Sequence, residues 1–289
     1  MKRLKGCIFG TLVALAVFAI IYVYVHPVIT PADELPVYHV SKHLDDTLRV
    51  ALIGDSWVMF HYTLGRDSVL QYLLQSKVPI PVKVRSRGKG GANSKEVYYY
   101  MFSSETIESE QEPDYCTQPL LEEHPNYCII SAGINDVGQG RGADFYCQNY
   151  QNILHLLLCN KIRPVVLELP TVTIDNRIEV HVEDFFNENR SFAVSRIKKR
   201  LGFWVTAQLT GADMYHVDEC RTALRRMLDE TGLIDSVVYI GIKEWNPEGY
   251  KDRRGIYLND GTHLNLAGYD VLDSCFAEAI RKDYAKRLR

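Results

Sequence analysis

Five short apolar runs, spaced along the chain, constrain the fold more than any other feature. They lie at 49–53, 81–84 ("PVKV"), 127–131 ("YCIIS"), 164–168 ("PVVLE") and 236–242 ("SVVYIGI"). Runs this short, bounded by turn-forming residues and rich in β-branched side chains, read as buried strands. Between them stand "DSVLQYLLQSK" (67–77), "ADFYCQNYQNILHLLLCN" (143–160) and "DECRTALRRMLDETG" (218–232), with apolar residues three and four apart. That is the period of an amphipathic helix. A further stretch of this kind closes the chain from Asn265. Strands alternating with helices imply a mostly parallel, five-stranded sheet covered on both faces, a three-layer α/β sandwich. Ligands of such sheets bind beyond the carboxyl ends of the strands.

The first 46 residues have a different character. Residues 1–6 carry Lys2, Arg3 and Lys5, and "CIFGTLVALAVFAIIYVYV" (7–25) then runs without a charge. At 1.5 Å per residue the run is about 28 Å long, close to the thickness of a bilayer core. It exceeds the apolar length usual in a cleaved signal peptide, and no clean small-residue cleavage site follows. The expectation is one transmembrane signal anchor at 7–25, with a cleaved signal as the alternative. The basic residues would stay in the cytoplasm and the remainder would face outward, in a periplasm or outside a bacterial cell. Residues 26–46 then form a tether, and 47–289 the folded domain. A net charge of −3 gives no reason to expect a nucleic-acid partner.

Polar clusters follow the first three strands. They are Gly54-Asp55-Ser56, Gly88-Lys89-Gly90-Gly91 and Gly133-Ile134-Asn135-Asp136. Near the C-terminus stands "LNDGTHLNLAGY" (258–269), in which Asp260 and His263 are three apart. A serine nucleophile needs a base, a group to orient the base, and donors for an oxyanion. Ser56, His263, Asp260, a glycine N–H in the second cluster and the Asn135 amide supply those types.

These four blocks, in this order, resemble the GDSL/SGNH hydrolase family. Gly54-Asp55-Ser56 matches its first block, with Trp57 where a leucine is common. Gly133-Ile134-Asn135-Asp136 and Asp260-Gly261-Thr262-His263 match its third and fifth. In the second block Gly91 aligns with the oxyanion glycine, and Gly90 replaces a serine. The resemblance covers about residues 48–285 and implies the flavodoxin-like SGNH fold. It implies a catalytic triad of Ser56, Asp260 and His263, with an oxyanion hole from the N–H groups of Ser56 and Gly91 and the Asn135 side chain. It calls for no metal and no organic cofactor. The substrate would be a carboxylic ester, with a tilt toward O-acetyl groups on a glycan. An O-acyltransferase using the same acyl-enzyme and a non-catalytic glycan-binding protein are the competing readings.

Other features have plainer explanations. Asp136 is expected to brace its loop. Asp213 and His216 repeat the Asp-x-x-His spacing but lack the Leu-Asn-x-x-Gly-Tyr continuation found after His263. His39 and His43, with Asp45 and Asp46, sit in the tether, a poor scaffold for a metal. Six cysteines follow Cys7, with room for one or two bridges. Cys147 and Cys159 lie about 18 Å apart on one helix and cannot pair. Cys128 reads as a small core residue. Residues 190–204, "RSFAVSRIKKRLGFW", read as a solvated helical face. A helix lying on the membrane surface, or a rim that sets specificity, are the alternatives.

Overall fold

The computed structural model describes residues 11, 13–18, 46–103, 115–139, 141–169, 217–245, 256–258 and 262–288. Five strands, β1 (Leu48–Gly54), β2 (Val82–Gly88), β3 (Tyr127–Ser131), β4 (Arg163–Leu167) and β5 (Val238–Ile240), form one sheet. Their order is β2-β1-β3-β4-β5, and every pair is parallel. All five fall on the apolar runs.

The strands are apolar on both faces because helices cover both. Ala51, Ile53, Ile130, Val165 and Val166 are wholly buried. On one flank the helices Arg66–Gln75 and Leu266–Arg287 pack on each other, and on the other Ala143–Cys159 packs on Val217–Glu230. Helix 143–159 buries Phe145, Tyr146, Tyr150, Ile153, Leu154, Leu156 and Leu157, the stripe its periodicity required.

β2 runs four residues beyond the expected end at position 84. Its register pairs every residue from Val82 to Gly88 with β1. Val82, Val84 and Ser86 are buried while Lys83 and Arg85 are exposed. This alternation suits an edge strand with one wet face.

Only part of the N-terminal expectation falls on described residues. Residues 11 and 13–18 are helical and exposed. The rest of 7–25, and the tether apart from Asp46, lie outside the described residues. Among those described, no helix is long and apolar enough to cross a membrane. None of the bridges for which there was room forms among the described cysteines: Cys116, Cys128, Cys147, Cys159, Cys220 and Cys275 are all free thiols. Cys128 lies wholly buried in β3, and burial pushes its thiol far above the ordinary range.

The topology sets the position of the site. Chain order reverses between β1 and β3, so the crevice beyond their carboxyl ends is the switch point of the sheet. The first three strands finish level, with Gly54 paired to both Gly88 and Ser131. The loops carrying the first three polar clusters therefore leave the sheet at the same height.

Candidate active site

Ser56 is the first residue of a helix, Ser56–Thr63, that begins directly after β1. The cap of that helix is Asp55, whose side chain accepts from the Trp57 N–H at 3.0 Å. Ser56 itself is left free of capping and stands at the positive end of the helix, where developing negative charge is favoured. The crossing from strand to helix is tight. A Cβ on Gly54 would lie 2.0 Å from the Ser131 carbonyl oxygen, and Gly54 has φ +154°, so the position requires glycine.

His263 Nε2 lies 2.9 Å from Ser56 Oγ, across 207 residues of sequence. The Phe60 ring meets the imidazole edge to face, with centroids 5.0 Å apart and planes at 88°. The loop around His263 is fixed from several sides. Leu258 N–H donates to the His263 carbonyl at 2.7 Å, and Asn265 N–H to the Ile256 carbonyl at 3.0 Å. Asn265 then caps the C-terminal helix by accepting from the Gly268 N–H. Asp260 lies outside the described residues, as do Asp213, His216, His39, His43 and the segment 190–204.

The glycine cluster forms a turn against the helix Ser56–Thr63. Ala92 N–H bonds the Lys89 carbonyl at 3.2 Å, and Gly91, with φ +79°, occupies the third position. That is the position a type II turn reserves for glycine. The end of β2 touches the first turn of that helix. A Cβ on Gly88 would come within 2.9 Å of Asp55 O, Val58 Cβ and Met59 N.

Asn135 joins the third cluster to the second. Its side-chain N–H donates to the Ala92 carbonyl at 2.9 Å. The second hydrogen of the amide has no partner among the described residues and is available to a ligand. Gln139 reinforces the join by donating to the Gly91 carbonyl at 3.1 Å and accepting from the Asn93 amide at 2.9 Å. Asp136 is the expected brace. Wholly buried, it accepts from Ser94 N–H at 2.9 Å and from the Ser94 hydroxyl. Burial nevertheless pushes its pKa up to about 6.

Two contributors escaped the sequence reading. One is the bracket formed by Asn93, Ser94 and Gln139. Its signal was present, since Asn93 and Glu96 make a reciprocal capping box. The other is Asp55, which the motif contained without a role. It is wholly buried and also accepts from the Ser131 hydroxyl at 3.0 Å. Burial is the largest influence and, with Asp136 nearby, pushes its pKa up to about 7 against the pull of the Trp57 and Ser131 donors.

No three His, Cys, Asp or Glu side chains among the described residues gather as a metal ion would need. A concavity of about 830 Å³ lies elsewhere, beyond the ends of β4 and β5. Its lining includes Asp218 and Glu244, close to where the described chain breaks off, and it has no part in the arrangement around Ser56.

A serine hydroxyl within hydrogen-bond reach of an imidazole, at the helix end beyond a parallel sheet, defines the class of serine hydrolases. The chain matches the GDSL-like lipase/acylhydrolase family over residues 52–271. It belongs to that family and is an ester hydrolase of the GDSL type. It is similar to a GDSL-like lipase from Bacteroides thetaiotaomicron, at 16% identity and TM-score 0.47 over 84% of this chain and 93% of that one. It is also similar to the psychrotrophic esterase EstA of a Pseudoalteromonas species, at 13% identity and TM-score 0.49 over 83% and 100%. A lipase/acylhydrolase from Enterococcus faecalis gives 14% identity and TM-score 0.45 over 81% and 96%. No curated protein matches the chain.

Proposed function

We propose that the protein cleaves carboxylic esters through an acyl-enzyme formed on Ser56, held at a membrane by residues 7–25 and facing outward. The observation that carries the reading is the 2.9 Å approach of His263 Nε2 to Ser56 Oγ. In the proposed cycle Ser56 Oγ attacks the acyl carbon as His263 takes its proton. His263 returns that proton to the leaving alkoxide, and water then repeats the sequence on the acyl-enzyme. Asp260 is assigned to hold the far ring nitrogen in the required tautomer. The Ser56 and Gly91 N–H groups and the free hydrogen of the Asn135 amide are assigned to the oxyanion. The proposed substrate is an O-acetyl group on a glycan; the outward orientation, 18 Tyr and 3 Trp support that choice over a long-chain lipid.

The test uses the full-length chain in membranes and a fluorophosphonate probe. Ser56 should be labelled. Ser56→Ala should abolish labelling and lower turnover of 4-nitrophenyl acetate toward background, a loss of about 10⁶-fold. Labelling that persists in Ser56→Ala would place the chemistry on another serine. Acetylated sugars should outperform long-chain esters, and a preference for the latter would overturn the glycan assignment alone.

A further inference from the structure

We propose that Trp57 is a positioning residue for the base, with its indole N–H holding the chain that carries His263 at a fixed distance from Ser56. The inference rests on the Ser56–His263 reading above and deepens it. Trp57 Nε1 donates to the Thr262 carbonyl at 3.1 Å, between residues 205 apart in sequence. Both partners are 2% exposed. A carbonyl buried to that extent has little access to water, so the donor matters to where the peptide rests.

The pin lies at the point of greatest leverage. Thr262 immediately precedes His263, and Trp57 immediately follows Ser56. The base is therefore referenced to the nucleophile's own helix, without an intervening element. On the other side of His263 the Tyr269 hydroxyl donates to the Trp57 carbonyl at 2.9 Å. Residue 57 thus holds the histidine's chain both before and after the imidazole. The indole is itself oriented, meeting Trp245 edge to face with centroids 5.6 Å apart and planes at 88°.

A leucine at 57 would fill much of this volume and could not donate. Residue 57 is the departure from the family's first block noted above, and here the difference is one hydrogen bond to the loop of the base. A displacement of about 1 Å in a reacting group can cost about 100-fold in rate. Trp57 has no place in the proposed substrate contacts, so the loss should appear in turnover and not in binding.

The experiment compares the full-length wild type with Trp57→Phe and with a chain carrying 3-benzothienylalanine at 57. The latter keeps the outline of the ring and replaces its N–H by sulfur, so the core stays filled if the phenylalanine variant fails to fold. For both, kcat on 4-nitrophenyl acetate should fall about 10- to 100-fold, with KM within about twofold of wild type. Labelling of Ser56 by the fluorophosphonate should slow in parallel. A folded benzothienyl protein with wild-type kcat would overturn the proposal, and so would a raised KM at unchanged kcat. Loss of the underlying reading looks different: Ser56→Ala or His263→Ala would then retain activity whatever stands at 57.

Discussion

The two ends of the helix Ser56–Thr63 bury charge in opposite ways. At its start, Asp55 is wholly buried and receives only neutral donors, the Trp57 N–H and the Ser131 hydroxyl. Its second oxygen, Oδ2, has no hydrogen-bond partner. Towards its end, His61 lies 2.9 Å from Asp67 through Nδ1 and 2.9 Å from Asp273 through Nε2. Two carboxylates on the two ring nitrogens require both to be donors, which makes the ring an imidazolium. Arg66 adds 3.0 and 2.6 Å contacts to the far oxygen of Asp273, and a 2.7 Å contact to the exposed Asp270. Beside Ser56, then, burial pushes an acid toward neutrality. A turn and a half away, charges of both signs are buried together. The first arrangement lessens the negative charge that stands against the oxyanion proposed at Ser56. The second fastens the helix Ser56–Thr63 to the C-terminal helix that follows His263.

The largest effect should come from breaking the compensated end. Asp273→Ala leaves the His61 imidazolium and the Arg66 guanidinium without their shared, wholly buried partner. Removing one member of a buried ion pair costs about 3–5 kcal/mol, because the survivor stays desolvated. Urea denaturation should show that loss. A value under about 1 kcal/mol would mean that neither cation relied on Asp273.

The uncompensated end should reveal itself through pH. Asp55 rises from an ordinary 3.8 to about 7 on folding. The folded chain therefore binds this proton more tightly than the unfolded one. The stability it contributes is complete below about pH 4 and is lost as pH rises to about 7, a span of up to about 4 kcal/mol. Asp136 acts in the same sense, up to about pH 6. His61 is also raised, by its bonds to Asp273 and Asp67, which outweigh the opposing effect of burial. Its contribution is complete below about pH 6.5 and is lost as pH climbs through its higher folded value. Asp67 is lowered by His61 and Ser86 despite its burial, so its contribution disappears only as pH falls below 3.8. Stability should thus decline from about pH 4 to pH 8. In Asp55→Asn the decline should be shallower, with the two curves meeting near pH 4 and separating toward pH 8. Parallel curves would show that Asp55 does not titrate in this range.

The same contrast explains what the sequence disclosed. The strands declared themselves by apolar runs, because a sheet covered on both faces has no other way to fill its interior. Ser56, Gly91, Asn135 and His263 stood out as candidates because each lies at or just beyond a strand or helix end, where little but function or a turn demands its residue type. The structure brings Ser56 and His263 within hydrogen-bond reach and links Asn135 to the turn of Gly91. The His61 cluster was hidden. His61, Arg66, Asp67 and Asp273 look like ordinary polar positions on helices, and two of their contacts join residues more than 200 apart. The helices Ser56–Thr63 and Ser94–Tyr100 are too short for an apolar period to emerge. No local pattern marks a buried ionic lock, since its logic is three-dimensional.

The smallest effect should come from charges that resemble the lock in number but not in setting. On the wet face of β2, Lys83 and Arg85 both contact Glu123, Lys83 at 2.9 Å. Their side chains are 49% and 48% exposed, and that of Glu123 is 31% exposed. Like Asp273, Glu123 serves two cations. Water here stabilises the separated ions nearly as well as they stabilise each other, and salt screens what remains. Glu123→Gln should therefore cost at most about 1 kcal/mol in urea denaturation, and raising the salt to about 1 M should erase most of that. Asp273→Ala should keep most of its larger cost in the same salt, because a wholly buried pair is screened much less. Equal losses for the two variants, or equal sensitivity to salt, would mean that burial is not what separates the lock from the surface cluster.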